Sequence, residues 1–296
     1  DCMTLDRADL EVVDCALCGR SEHRVIHEIP PVKIVRCTDC GLAYDRPRLA
    51  AGDRQQLYSD DYFVEKQEDG TGADYVDRHE RDVLSAHERM AEIERFIDPG
   101  RMLEIGCATG SFLVAARERG WRVHGLEISP FAARHARERW DLAVDAGVLA
   151  PGRYPPERFD LVVMNHVLEH VADPVHELRL VHEIVRPGGL LALEVPDFGS
   201  RIARRSGTDW PYLRPYEHLY HFTRETLAEM LRKAGFSVVH HHTLNRPQVM
   251  KTVEWFKLSA LVMANLKRLT FLRRIYRTMR GALGYDDLLV VFGRRA

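Results

Sequence analysis

The sequence has no long apolar run. Its longest stretches without Asp, Glu, Lys or Arg, Ile105 to Ala116 and Ala234 to Asn245, are 12 residues each, and a membrane-spanning helix needs about 20. No charge of one sign predominates: 42 Lys and Arg stand against 44 Asp and Glu, a net −2, which argues against a chain that coats nucleic acid. Asp1 to Asp14 is acidic and lacks the apolar core of a secretory leader, so a cytoplasmic protein with no membrane span is expected. Internal repeats and low-complexity tracts are absent as well. What remains is ordinary for a folded chain, 45% hydrophobic and 29% charged over 296 residues. That length suggests two domains, or one large domain with a small appendage.

Cysteine is scarce but not scattered. Four of the six form C-x2-C, an 18-residue gap and a second C-x2-C: Cys15, Cys18, Cys37 and Cys40. Gly19 and Gly41 follow the two pairs and let the chain turn so that both thiolates face one point. Four thiolates about 2.3 Å from one ion make the closed tetrahedral shell of structural zinc, and a reducing compartment disfavours disulfides. Residues 10–48 are therefore expected to be a zinc ribbon of two short hairpins clipped by the metal, because about 35 residues bury too little surface alone. Cys2 and Cys107 have no partner in this pattern.

From residue 75 onward, helix and strand alternate. The apolar spacing of Val83, Ala86, Met90, Ile93 and Ile97 predicts a helix from Tyr75 to Ile97, stopped by Pro99-Gly100. A strand over Arg101 to Ile105, a glycine turn and a helix from Phe112 to Glu118 follow. Trp121 to Leu126 reads as the next strand, and Ser129-Pro130 caps and opens a helix. Phe159 to Met164 is a near-continuous apolar run, as expected of a strand buried on both faces. Pro174 to Val185 is amphipathic and ends at Pro187-Gly188-Gly189, with Leu190 to Val195 as another strand. Thr223 to Ala234 is a helix, and Ser237 to His241 and Asp287 to Phe292 are closing strands. Alternation of this kind means an α/β fold with a doubly wound, mostly parallel sheet.

The turn Glu104-Ile105-Gly106-Cys107-Ala108-Thr109-Gly110 is not the dinucleotide fingerprint G-x-G-x-x-G. It follows a strand and opens a helix, and Glu127 closes the next strand, where an acid accepts hydrogen bonds from ribose hydroxyls. Glu104 is placed to pair with a cationic group. With Phe159 to His170 and the Arg186-Pro187-Gly188-Gly189 turn, this pattern resembles class I S-adenosylmethionine-dependent methyltransferases over residues 75 to 245 and the closing strand. The resemblance implies a Rossmann-like methyltransferase domain over residues 75–296 and S-adenosylmethionine as cofactor. It places Glu104, Gly106 and Asn165 near the methionine end, Glu127 on the ribose, Ile128 on adenine, and Asp145 and Ala146 at the adenine edge, with Cys107 and Gly110 also in the cofactor site. Ala108 stands where many members carry glycine. Joined to a four-cysteine ribbon, the domain is similar to bacterial methyltransferases of natural-product and polysaccharide pathways, including sugar-nucleotide C-methyltransferases. Those enzymes have a Tyr-x-Glu-His cluster and a further C-terminal domain. Tyr216-Glu217-His218 matches its Glu-His with the tyrosine displaced by one, and no such further domain is expected here.

Methyl transfer requires an aligned acceptor, a dry site and usually a base. Glu169, His170, Glu217 and His218 are the candidate catalytic groups, with His221 beside them and His166 behind. An acceptor loop over residues 196–222 supplies Arg201, Trp210, Tyr212, Arg214, Tyr216 and His221 as candidate substrate contacts. Arginine forks suit phosphate, and Trp210 and Tyr212 suit a ring, so a small, anionic acceptor such as a nucleotide sugar or a prenyl diphosphate is expected. The trio His240-His241-His242 reads as strand and surface. The insert 247–284, in which Lys251 to Gly281 carries eight Lys or Arg and one Glu, reads first as a lid or homodimer face and next as a membrane-surface helix. The leading function is methylation, on carbon or oxygen, of a phosphate-bearing small molecule. The alternative is an RNA base methyltransferase in which ribbon and insert grip phosphates; the near-neutral charge and the absence of a Pro-Pro-aromatic motif after Asn165 oppose it, and no nucleic-acid partner is expected. A third possibility, a zinc-dependent scaffold that binds no cofactor, is opposed by the intact set Glu104, Gly106, Gly110 and Glu127.

Overall fold

A computed structural model describes residues 10–50, 79–244 and 286–296. The ribbon region carries five short strands: β1 (Leu10–Glu11), β2 (His23–Ile29), β3 (Val32–Cys37), β4 (Ala43–Asp45) and β5 (Arg48–Leu49). After it come α1 (His79–Ile93), β6 (Arg101–Ile105), α2 (Ser111–Glu118), β7 (Arg122–Glu127), α3 (Pro130–Trp140), β8 (Val144–Ala146) and β9 (Phe159–Asn165). The second half holds α4 (Pro174–Ile184), β10 (Val185–Pro196), α5 (Arg201–Ser206), β11 (Tyr220–His221), α6 (Arg224–Lys233), β12 (Phe236–Leu244) and β13 (Leu288–Arg295).

Seven strands form the main sheet in the order β12-β13-β10-β9-β6-β7-β8. The run from β8 to β10 is parallel, while β13 lies antiparallel to both β10 and β12. This is the expected Rossmann-like α/β architecture. The order turns back between β6 and β9, so the carboxyl ends of those strands open a crevice, the position where such sheets bind ligands. Met102, Leu161, Val163 and Leu190 pack beneath α1 and α2 on one face, and Leu103, Val162, Leu191 and Leu193 pack beneath α4 and α6 on the other. A strand covered on both sides must be apolar along its buried stretch, and β9 is apolar and buried from Leu161 to Met164. Ser129 caps α3 through Ala132 N–H, as its position before Pro130 predicts.

Two local expectations are corrected. The helix predicted as far as Ile97 ends at Ile93, where Glu94 N–H bonds the Met90 carbonyl and Phe96 N–H the Ile93 carbonyl in a tightening last turn. Arg186-Pro187-Gly188-Gly189 is not a break between helix and strand. It is a bulge inside β10, whose partner on β9 moves from Phe159 at Val185 to Leu161 at Leu190. Gly189 is obligatory there, since a Cβ would sit 2.8 Å from the Arg186 carbonyl oxygen.

The ribbon is also more than two hairpins. Strands β2, β3 and β4 share a four-stranded sheet with β11, which pairs Tyr220 with Tyr44 and His221 with Ala43. A separate apolar cluster, including Ile34, Ala43, Phe198, Trp210 and Leu213, fills the seam between the two regions. The basic insert, and the helical residues expected from Tyr75 to Arg78, lie outside the described residues. Among the described residues no helix is long and apolar enough to cross a membrane.

Candidate functional site

The strand ends at the crevice set up one half of the site. Glu104 is 3% exposed; its Oε1 accepts from Asn165 Nδ2 at 3.3 Å, and its Oε2 is sealed from water with no hydrogen-bond partner. Burial, opposed by the nearby Arg89 charge and the Asn165 hydrogen bond, pushes its pKa up to about 8. A buried carboxyl of this kind is poised to receive a cation. Gly106 has φ +71°, and a Cβ there would lie 2.4 Å from Val167 Cγ2, so only glycine turns the chain at this point. Glu127, 4% exposed, anchors the turn by accepting from Ala108 N–H at 2.8 Å and Ser129 N–H at 2.9 Å. Burial raises its pKa and these amide bonds counter part of that rise. Each carboxylate oxygen keeps a further lone pair for a ligand. Gly110, at φ +91°, caps α2, and Ile128 is half-buried beside the end of β7.

On the other half, the segment after β9 brings acids and histidines together. His166 adopts φ +53°, with Nδ1 3.2 Å from Glu169 Oε1 and Nε2 3.0 Å from Glu194 Oε1. Burial works against its cation, yet the hydrogen bonds it donates to those two carboxylates carry its pKa above the usual value. His170 Nδ1 meets the Glu217 carbonyl and His218 Nδ1 the Tyr212 carbonyl, each at 2.8 Å. Bonds of this kind assign the proton to Nδ1 and leave Nε2 as the basic nitrogen. The two rings stand edge to face, 4.7 Å apart. Burial lowers the pKa of His170 against the pull of Glu169 and Glu217, and lowers that of His218 far more, with the neighbouring His170, His221 and Arg214 adding to it. Glu169 is 1% exposed with an unpartnered Oε2. Ligand-type atoms of Glu169, His170 and His218 lie within 4.8 Å of one another, close enough to share a proton or to hold an ion.

The profile of the family described as "Methyltransferase domain" matches residues 75–241, more than half of the chain. The chain belongs to this methyltransferase family. Relatives include a Mycolicibacterium smegmatis protein named as an S-adenosylmethionine-dependent methyltransferase, 31% identical over 46% of this chain and 52% of its own length. The chain thus spans about half of that relative. A ubiquinone biosynthesis O-methyltransferase of Cereibacter sphaeroides is 31% identical over 54% of this chain and 68% of its own. Among solved structures, an S-adenosylmethionine-dependent methyltransferase of Archaeoglobus fulgidus covers 72% of this chain and 94% of its own, with TM-score 0.51 at 20% identity. At that identity the likeness supports the fold. S-Adenosylmethionine carries an ammonium and a sulfonium, and the orphaned Glu104 oxygen beside Asn165 suits such a doubly cationic group.

Within the methyltransferase the remaining predicted residues separate by burial. Cys107 is packed into the core with its sulfur against Gly125, and burial together with Glu104 and Glu127 holds it as a neutral thiol. Only its backbone faces the turn. Asp145 Oδ2 is taken by His124 Nε2 and the Tyr154 hydroxyl, both at 2.9 Å, and Ala146 is exposed with its carbonyl bonded by Arg153. Trp210 does not wall an open pocket: it is 2% exposed and packs in the seam with Phe198 and Tyr212. His221 is likewise drawn away, its Nε2 3.1 Å from Oδ1 of the buried Asp45 in the ribbon. Tyr216, at φ +78°, donates its backbone N–H to Asp45 Oδ2. Arg214 pairs with Glu217 at 3.1 Å, so the Glu217 carboxylate is engaged and its carbonyl is the part that touches His170. Tyr212 stays at the site, its ring stacked on His166 at 6.0 Å. Arg201 is exposed at the start of α5.

The sequence did not single out Arg89, Glu194 or Asp45. Arg89 donates to Asn165 Oδ1 and pairs with Glu194 at 3.1 Å, joining the two halves of the site. A lone acid in the apolar run Leu190 to Val195 was the one available signal, for Glu194. In the ribbon, Cys15 and Cys40, and Cys18 and Cys37, approach to 3.4 Å between sulfurs, with all four donors within 4.8 Å. They form no disulfide. Tetrahedral zinc–thiolate shells have sulfur–sulfur edges of about 3.8 Å, so the group fits one ion after a small expansion.

Proposed function

We propose that the chain transfers a methyl group from S-adenosylmethionine to a hydroxyl or carbon of a small, phosphate-bearing acceptor, with His170 as the base and a structural zinc in the four-cysteine ribbon. The observation that supports this most is that, at the β6/β9 switch point, an orphaned buried carboxyl lies near the end of β6 and a histidine whose tautomer is fixed follows β9. S-Adenosylmethionine, when bound, supplies an electrophilic methyl for in-line displacement. Glu104 and Asn165 hold the cationic end, and Glu127 accepts from the ribose. The acceptor approaches from the side of Glu169, His170 and Tyr212. His170 Nε2 takes the acceptor proton, and the Glu169 carboxylate stabilises the imidazolium that forms. His218, held more firmly neutral, orients His170. Exposed Arg201 and Arg205 are the groups offered to phosphate, and the ubiquinone biosynthesis O-methyltransferases among the relatives favour oxygen over carbon. No observation favours RNA as the acceptor.

The test is calorimetry with S-adenosylhomocysteine on a zinc-counted sample, then turnover with nucleotide sugars and prenyl diphosphates. Micromolar binding and one zinc per ribbon are expected; a folded protein that does not bind overturns the reading. His170→Ala should lower kcat by about 10²–10⁴ while binding of S-adenosylhomocysteine stays unchanged. The kcat profile of the parent should fall on an acid limb below the usual histidine pKa of about 6.5, because burial lowers the value for His170.

A further inference from the structure

A second group of donors joins the last turn of α1 to β12. His240 Nε2 and His242 Nδ1 each lie 3.2 Å from the same oxygen, Oε1 of Glu92, and the three donors fall within 4.8 Å of one another. Glu92 is in the last turn of α1, 148 residues from His240, so the sequence alone shows two histidines of a strand and no third ligand. Residues two apart on a strand share a face, which accounts for His240 and His242 pointing the same way while His241 is exposed on the other.

The face they share is set by a bulge. Phe236 pairs with Arg295, but His240 pairs with Phe292, because the register slips by one residue between Val238 and His240. Without the extra residue the even positions of β12 would continue on the side of Phe236, toward α6. With it they turn toward α1, beside Phe292 and Phe96. Bulges of this kind re-aim side chains and recur next to functional sites. His242 Nδ1 is also sealed from solvent without a hydrogen-bond partner: it lies near Glu92 Oε1 but is not aimed along a hydrogen bond to it. A tetrahedral shell with bonds of about 2.0–2.1 Å has donor–donor edges of about 3.3 Å, and two of the three edges here are 3.2 Å. The other groups facing the cluster are Arg89 and Glu194, which pair with each other.

We propose that Glu92, His240 and His242 form a second metal site, separate from the cysteines, that takes a divalent transition ion such as zinc or cobalt with water completing the shell. Side-chain exposures of 26–30% leave room for that water. The ion clamps α1 to the edge strand, and Arg89 lies one turn before Glu92 on that helix. Occupancy therefore steadies the arm that reaches Glu194 and Asn165. The site does not depend on the proposed acceptor or on His170.

Cobalt titration of the full chain separates the two sites, because thiolate-bound cobalt gives strong sulfur charge-transfer absorption and an N2O site gives only weak d–d bands. The parent should bind one more cobalt per chain than the variant His240→Ala/His242→Ala, the additional ion lacking the sulfur band. Glu92→Gln, which preserves shape, should weaken that ion by at least about tenfold and leave the cysteine-bound ion unchanged. Should the double variant misfold, Glu92→Gln alone decides. Equal stoichiometry and cobalt affinities within about twofold for the parent and Glu92→Gln would overturn the proposal and leave an ordinary Glu–His hydrogen-bonded cluster.

Discussion

On the cofactor side of the crevice, Glu127 is tied to Ala108 and Ser129, 19 and 2 residues away. On the acceptor side, the loop that holds His170 and His218 is tied to the ribbon through His221 and Asp45, 176 residues apart, and through Arg48 and Ala172, 124 residues apart. Leu219 makes the link direct. Its carbonyl accepts from Asp45 N–H, and its N–H donates to the Glu169 carbonyl. One half is therefore assembled by a strand–turn–helix that needs little outside itself, and the other is braced by a region that belongs to a different sheet. A small four-cysteine appendage can in this way hold a loop of the candidate site without contributing a side chain to it.

The largest break in that comparison comes from the cysteines. A structural zinc is worth on the order of 10 kcal/mol to a ribbon, so Cys37→Ser/Cys40→Ser should unfold it. Acceptor turnover should then fall by at least about 100-fold, while affinity for S-adenosylhomocysteine, read by calorimetry, changes by less than about threefold. Equal losses on both sides would show that the halves are not separable. Next in size is His221→Ala, which strands the Asp45 carboxylate in the seam. Removal of one member of a buried polar pair costs about 3 kcal/mol, and denaturant unfolding should show that loss with cofactor affinity intact.

Glu127→Ala tests the opposite half. Hydrogen bonds to a charged group are worth about 1.5–3 kcal/mol, so cofactor affinity should drop roughly 10- to 100-fold with little change in ribbon zinc content. The smallest effect is a proton. The pKa of Glu104 is about 8 when folded, against 4.5 ordinarily, so this group adds stability below about pH 4.5 that fades as pH climbs through about 8. A cationic ligand favours the carboxylate. Binding of S-adenosylmethionine, whose sulfonium the homocysteine product lacks, should therefore release close to one proton at pH 7, seen as a buffer-dependent calorimetric enthalpy, and tighten up to about pH 8. Glu104→Gln should abolish the release.

The same contrast explains what could be read from the sequence. The β6 turn, Glu127 and the apolar run of β9 are local patterns, and they stood where periodicity and glycine placement put them. Trp210 and His221 looked like acceptor contacts because aromatic and imidazole groups in a loop suit a ligand. The partners that bury them, Ile34, Ala43 and Asp45, lie in the ribbon, and no local rule connects segments that far apart. Arg89 was hidden for a similar reason: on α1 it is one polar residue among many, and only packing shows that it spans Asn165 and Glu194. The β10 bulge was misread as a turn because Pro-Gly-Gly marks both.

The pairing of β11 with β4 has a consequence for biosynthesis. Although the cysteines are made early, the fourth strand of their sheet is not synthesised until Tyr220 and His221, about 175 residues after Asp45. At about 5–20 residues per second, the growing chain carries an unfinished sheet edge for roughly 10–35 s. During that interval β4 exposes unpaired peptide groups of the kind that attract other chains, so the nascent protein is expected to be most dependent on chaperones before its methyltransferase domain is complete.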